Sequence, residues 1–560
     1  MKSDSAGGTC IQVIVPGTTP RPPLPERFEI VVIGGGINGV AIARECARAG
    51  RRVLLLEKDD FGGATTSRST RIIHGGLRYL ENGEIGLVRE SLRERERLMR
   101  ERPHLVRATR FVFALNESSR HSAMELRAGL WLYRRLGGNG NHHAAAKTDL
   151  RELEKNLDSG HRWSLFDYED GQCEYPERLV AEWLSEALQS GLEARNHMEV
   201  LEVRTQDGRV EGVLTRDQFT GEEQFVRAEW VVNATGPWAD QLYATTKLKR
   251  DEPMIGGVRG SHIVVPKFVG APKSAVYSEA ADGRPGFVIP WIGQILVGTT
   301  EIPDQGSPDR ARASGSEITY LLEMVNRLFP SSKLTRSDIA YTFSGIRPLP
   351  YQEKSSPHSV TRRHIIRNHA EEGAMGMLSI IGGKLTTAAE LARQCARRMG
   401  VRVQRPGEVR VAAGPASGIE STVAQWARVV SQQSGITERQ AKAIAGWHGS
   451  RALSIIQSAR VDEQLRQPLC EHSDHIVAEA IEAARFECAM TLSDVLLRRV
   501  PVALNPCFSG ECARVAATRI AGVLCRVADV EEGLERFHRE RSAFLQKPGT
   551  SWSDPFERAA

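Results

Sequence analysis

The chain runs to 560 residues, enough for two or three domains around a large buried core. Hydrophobic residues at 41% and charged residues at 26% are ordinary for a globular protein, and a net charge of +5 over this length makes no case for nucleic acid. The charge is compatible with an anionic substrate or a membrane surface, but no apolar run approaches the roughly 20 residues of a membrane-spanning helix.

Residues 1–27, rich in Pro, Gly, Ser and Thr and without the apolar core of a signal peptide, read as a disordered leader. Residues 28–57 carry the most specific pattern in the chain. An apolar strand (Phe28–Ile33) enters Gly34-x-Gly36-x-x-Gly39, an alanine-rich helix follows, and a second apolar strand (Val53–Leu56) ends at Glu57. Gly34 allows the tight turn, Gly36 lets backbone approach a pyrophosphate, and Gly39 lets helix pack on strand. The helix N-terminus suits the phosphates, and Asn38 is placed to bond the loop or a phosphate. Glu57 would accept ribose hydroxyls and repel a 2′-phosphate, so the motif reads as a site for NAD or FAD rather than NADP.

A loop of small and hydroxylated residues, GGATTSRSTR (62–71), comes next, then HGGLRYLE (74–81) and a charged helix over 87–102 that reads as a solvated face. In 120–136, Leu126, Leu130 and Tyr133 share one helical face flanked by Arg120, Arg127 and Arg134; this suits either a headgroup layer or packing on the core. Residues 165–240 alternate helix and strand patterns and end in VVNATGPWAD, a strand end followed by small residues. Residues 255–350 alternate apolar and polar positions between Gly and Pro, the pattern of a mostly antiparallel sheet. A strand–turn–helix signal returns at 377–399, and beyond Pro406 and Gly407 residues 408–545 are helical in pattern. The nine cysteines are scattered. Cys507 and Cys512 are too far apart for CxxC, and no His/Cys cluster has zinc-site spacing, so a reduced cytoplasmic protein with no metal is expected.

Two glycine-turn-helix signals, at 34 and 382, far apart in one chain, suit FAD: its adenylate end can rest on the first unit while a distant segment grips the isoalloxazine. The expected fold is α/β (α+β overall). A Rossmann-like FAD-binding domain and an antiparallel-sheet substrate domain interleave over 28–405, and a C-terminal helical domain covers 406–560.

The blocks GGGINGV, TTSRSTRIIHGGLRYLE, NATGPWAD, GSHIVVP, VGTTE, SGIRPL and GGKLTT stand in this order, and so arranged the chain resembles the FAD-dependent glycerol-3-phosphate dehydrogenases, within the D-amino-acid-oxidase-like flavoproteins. The likeness is strong over 28–400 and weaker through the C-terminus, where MTLSDVLLRR (490–499) is the most recognisable piece. It implies oxidation of sn-glycerol 3-phosphate to dihydroxyacetone phosphate, with a hydride passing from C2 to flavin N5 and electrons then going to a membrane quinone. Such a protein is cytoplasmic and lies peripherally on the inner face of the cell membrane.

The resemblance also implies roles. Arg78, Arg347 and Lys384 are cations embedded in neutral, glycine-rich motifs and suit a phosphate dianion; Tyr79 adds a hydroxyl, and Lys384 serves either the phosphate or the flavin N1 region. His262 is the candidate base, with a simply hydrogen-bonded histidine as the alternative, and Arg347 orients substrate oxygens. Thr65, Thr66, Ser67, Arg71, His74 and Gly75 are assigned to pyrophosphate and flavin, as are Gly383, Leu385 and Thr386 on either side of Lys384, while the ATGPW block brings Gly236 and its small neighbours near the adenylate. Three segments depart from the family pattern. Tyr175-Pro176-Glu177-Arg178-Leu179 stands where an acidic pair followed by Ala-Arg-Leu is common, and its Tyr-Pro is expected to reshape a pocket wall; Glu301 and Arg71 stand where aspartate and lysine are common. Alternatives are an O2-using glycerol-3-phosphate oxidase, a flavin dehydrogenase of another hydroxy substrate, a non-catalytic flavin protein and an NAD enzyme. A homodimer contact through the C-terminal domain stays open.

Overall fold

The structure, a computed structural model, describes residues 21–80, 83–137, 147–353, 360–403, 419–460, 462–524 and 530–547. The strand β1 (Arg27–Ile33), the helix α1 (Ile37–Arg48) and the strand β2 (Val53–Leu56) form where the glycine motif places them, with β2 parallel to β1. β2 is buried at every position, which explains its unbroken apolar run. The helices Pro176–Gln189 and Ala388–Arg398 pack on α1, so its alanines allow close approach on more than one side.

An eight-stranded sheet is built around this unit, in the order Ile365–Asn368, Met377–Ile381, Glu223–Asn233, β1, β2, Glu193–Arg195. It is parallel from Met377–Ile381 onward. The hairpin Met198–Gln206 and Arg209–Asp217 joins it antiparallel through Glu223–Asn233. A second, nine-stranded sheet is mostly antiparallel; its long strands Ile255–Pro266 and Tyr341–Pro350 pair with each other, and Val106–Leu115 runs parallel to Ala275–Glu279.

The C-terminal helices run from Ile419–Ser434 to Val530–Phe544. They share a core with the second sheet: Val264, Leu296 and Phe343 lie in one apolar cluster with Ile444, Leu496 and Phe537. The boundary expected near 405 lies outside the described residues. Of the segment read as a leader, residues 21–26 lie against the first sheet: Leu24 is buried and its N–H donates to Gln224 Oε1 at 2.9 Å.

The amphipathic segment forms the helix Ala123–Gly137. Leu126, Leu130 and Tyr133 are buried within the protein, so the headgroup reading of that face is corrected: the apolar stripe is used internally. Trp131 and Met124, on other faces, are exposed. Among the described residues no helix is long and apolar enough to cross a membrane.

Candidate active site

A cavity of about 1560 Å³ opens between the two sheets, from the glycine motif to the strand Tyr341–Pro350. At its first end, Gly34 holds φ +105° and a Cβ there would meet Ala234 O at 2.6 Å, so neither conformation nor space admits a side chain. A Cβ on Gly39 would lie 1.8 Å from Gly34 O, the close helix–strand approach the motif predicts. Gly36 precedes α1 and has no side chain to cap it; Thr66 Oγ1 takes the first helical N–H, of Ile37, at 3.1 Å. Glu57 accepts hydrogen bonds from Gly35 N at 2.6 Å and Asp59 N at 2.9 Å, with lone pairs to spare. Burial, with Asp59 adding negative charge, raises its carboxyl to about 7.

The two glycine segments meet directly. Asn38 donates to Gly382 O at 3.3 Å, a Cβ on Gly383 would collide with Asn38 Nδ2 at 2.3 Å, and Asn38 Oδ1 is buried without a partner. Thr386 Oγ1 accepts from His74 N at 3.2 Å. Leu385 and Gly236 line the same cavity. A cofactor with a pyrophosphate at one end and a polar ring edge at the other fits this cradle of close-approach glycines, an available acid and an unpartnered amide oxygen.

The far end is cationic. Lys384 Nζ donates to Ser91 Oγ at 3.1 Å and stands 4.4 Å above the Tyr79 ring. Burial draws this ammonium down to about 8 against the opposing pull of Glu90 and Glu84. Arg347 donates to Thr299 Oγ1 at 2.9 Å and lies 3.5 Å from Glu301 Oε1, which Arg362 also approaches at 3.3 Å. The glutamate that departs from the family pattern therefore orients two guanidiniums. Arg78 belongs to the turn Leu77–Leu80, but its side chain lies outside the described residues.

His262, on the strand Ile255–Pro266, lines the cavity with its ring stacked on Phe343 at 4.9 Å. Its Nε2 is 3.0 Å from Thr70 Oγ1, and Nδ1 is buried without a partner. Burial, reinforced by Arg347 and Arg71, pulls its pKa to about 3, so it is neutral around pH 7.

Several expectations need correction. Arg71 borders the cavity, but its side chain is fully buried, with both terminal nitrogens on the Glu177 carboxylate at 3.0 and 3.1 Å and its guanidinium 4.4 Å from the Trp291 ring, so those two nitrogens are committed to an internal ion pair. Thr65 and Ser67 line the cavity but donate their hydroxyl hydrogens to Ile346 O and Ala64 O; Thr66 Oγ1 accepts from Ile37 N and keeps its hydrogen for a ligand. Gly75 N donates to Tyr133 OH at 2.7 Å and is not among the cavity residues. The Tyr175-Pro176 segment does not line the cavity either. Tyr175 packs edge-on against Trp447 and Arg178 pairs with Glu487, both in the helical region. The departures at 71 and 177 are thus two halves of one ion pair.

Other cavity residues escaped the sequence reading. Arg362 and Arg363 lie in a loop with no glycine motif to mark it. Arg68 shares the hydroxyl loop with Arg71, and the signal there was the loop itself; only packing separates the two arginines. Arg68 Nε is buried without a partner, and burial, with Arg312 nearby, lowers its pKa to about 10. Phe544, from the last described helix, closes part of the wall.

The geometry agrees with what known proteins share with this chain. A sequence profile for FAD dependent oxidoreductases matches residues 29–398, and one for the C-terminal domain of alpha-glycerophosphate oxidase matches residues 411–528. A glycerol-3-phosphate dehydrogenase of Synechocystis is 36% identical over 493 residues, covering 85% of this chain and 89% of the relative. A D-erythritol 1-phosphate dehydrogenase of Brucella abortus is 38% identical over 379 residues, 67% of this chain and 74% of the relative. Among solved structures, a glycerol-3-phosphate dehydrogenase from Bacillus halodurans complexed with FAD superposes with a TM-score of 0.71 at 22% identity, covering 93% of this chain and 95% of that one, a likeness of fold.

Proposed function

Since the chain belongs to the FAD-dependent oxidoreductases of the glycerol-3-phosphate dehydrogenase and oxidase family, with FAD as its cofactor, we propose that it oxidises sn-glycerol 3-phosphate to dihydroxyacetone phosphate. The observation that carries this reading is the cationic part of the cavity, where Arg347 and Arg362 converge on Glu301 and Lys384 lies near Arg362. A phosphate dianion suits such a cluster because arginine forks grip two oxygens at once. Lys384, on the segment that meets Asn38, spans the substrate and cofactor regions.

FAD, when bound, supplies the two-electron oxidant at C2. Arg347, held by Thr299 and Glu301, orients the phosphate or the C2 oxygen. His262 takes the C2 hydroxyl proton. Burial keeps the ring neutral but also lowers its proton affinity; a substrate dianion beside Arg347 offsets the smaller part of that lowering, which comes from Arg347 and Arg71. Thr70, bonded to Nε2, fixes the ring. Glu57 receives the ribose hydroxyls, and the electrons pass to a quinone at a membrane surface where the protein lies peripherally on the cytoplasmic side.

Anaerobic mixing of the FAD-loaded protein with glycerol 3-phosphate tests this. Bleaching of the flavin band is expected, and no bleaching at millimolar substrate sinks the assignment. Arg347→Ala should retain FAD but lose most of the bleaching rate. The Brucella relative makes a longer phosphorylated polyol the rival; faster bleaching by erythritol 1-phosphate would replace the substrate named here. Reoxidation by a soluble quinone that outpaces air distinguishes a dehydrogenase from an oxidase.

A further inference from the structure

Away from the cavity, the helical region brings together sulfur and nitrogen ligands that no local spacing announces. Cys470 and His472 lie between the turn Glu463–Arg466 and the helix Val477–Phe486, and Cys512 stands in the first turn of the helix Gly510–Leu524. One ligand atom from each of the three lies within 4.8 Å of the others. His472 Nδ1 is 3.3 Å from Cys512 Sγ. Both cysteines are buried, which alone would make them small apolar residues. His472 is exposed, and yet its ring turns to a sulfur.

The thiol of Cys512 is held in place. Ser509 Oγ accepts from Cys512 N at 3.1 Å and lies 3.4 Å from the sulfur. The carbonyl of Cys507 is 3.7 Å from the same sulfur, so the chain curls over it and limits its movement. In a tetrahedral zinc site, with Zn–S near 2.3 Å and Zn–N near 2.0–2.1 Å, ligand atoms stand roughly 3.5–3.8 Å apart. Closing the separations of these three donors, at most 4.8 Å, to that geometry takes roughly 1.3 Å or less.

We infer that Cys470, His472 and Cys512, with solvent in the fourth position, bind a divalent ion of the zinc class that staples the loop before Val477 to the start of the Gly510–Leu524 helix. The thiols release their protons to solvent on coordination, and no oxidation state changes. Asp60, His197 and Asp494 also converge within the same limit, but they make a useful contrast. Arg498 and Arg499 already neutralise the first acid, and Arg498 and His197 the second, which leaves no charge for a cation.

The test uses the full chain with FAD bound, purified from zinc-supplemented cells under reducing conditions. Elemental analysis should find one zinc per chain. Exchange with Co2+ should produce the long-wavelength d–d bands of tetrahedral thiolate coordination, beyond the flavin absorption. Cys512→Ser and His472→Ala should each lose the ion and its cobalt bands while keeping FAD; should Cys512→Ser fail to fold, the exposed His472→Ala alone carries the comparison. Stripping zinc with a chelator should lower Tm in the wild type and leave it unchanged in His472→Ala. Metal well below one equivalent with no cobalt bands overturns the proposal. So does equal metal in the wild type and His472→Ala, or a Cys470–Cys512 disulfide in the freshly isolated protein.

Discussion

Arg71 sits at φ +64° with no exposure, and among the described residues Glu177 is the acid its guanidinium hydrogen-bonds. Removing one partner of such a pair strands the other, at a cost of about 3–5 kcal/mol. Arg71→Ala should lower the free energy of urea unfolding by that order; a loss below about 1 kcal/mol would mean that Glu177 finds another partner or takes up a proton. His262 makes a second prediction. Unfolded, it takes a proton near pH 6.5; folded, it refuses one until about 3. Between these values the unfolded chain binds more protons, so stability falls as the pH drops from 6.5 towards 3. His448, buried beside Arg178 and held down to about 4, acts in the same direction, while Glu57, raised to about 7, acts oppositely between 7 and 4.5. The measurement is therefore a difference: Tm of flavin-free His262→Gln should lose less than that of the wild type over this acid range, and parallel curves would refute the assignment. These residues also show where reading the sequence stops. A guanidinium in a glycine-rich block announces importance, but of Arg68 and Arg71, three positions apart, Arg71 hydrogen-bonds Glu177, an acid 106 residues away, and Arg68 bonds the Ser344 carbonyl, a difference the sequence does not carry.

At the scale of elements, Gly39 states the constraint most plainly. An added methyl there meets backbone, not a movable side chain. Gly39→Ala should push α1 off β1 at a cost of about 1–3 kcal/mol, and the flavin-to-protein ratio of the purified variant should fall. Full occupancy with unchanged Tm would show that the helix can slide. β1, α1 and β2 were legible because strand burial, glycine sterics and a terminal acid all point to one local unit. The face of Leu126, Leu130 and Tyr133 was legible as a face but not as to what covers it, since periodicity does not distinguish lipid from protein. The cationic segment 360–368 stayed hidden because it carries no glycine signature; only its antiparallel seat beside Met377–Ile381 brings it to the cavity.

Across the whole molecule, the helical region is tied to the cofactor unit by buried charge. Asp60 is gripped by Arg499 at 2.6 and 2.7 Å and by Arg498, while Asn196 donates to it at 2.9 Å. Asp60→Asn leaves two guanidiniums short of an acid, so limited proteolysis of the helices beyond Ile419 should quicken relative to wild type, with flavin lost in step. Equal cleavage rates would mean that the shared core with the second sheet holds the regions together unaided. Glu57 and Asp60 end the same strand, β2, within four residues. One short tether thus answers to two masters, a ribose at its near end and a pair of arginines at its far end. Linkage is reciprocal: whatever factor flavin adds to helical docking, docking adds to flavin affinity. A chain starved of flavin then displays its condition on a remote surface, as loosened helices that a protease can find, and comparing cleavage of flavin-free and flavin-loaded protein reads that signal directly.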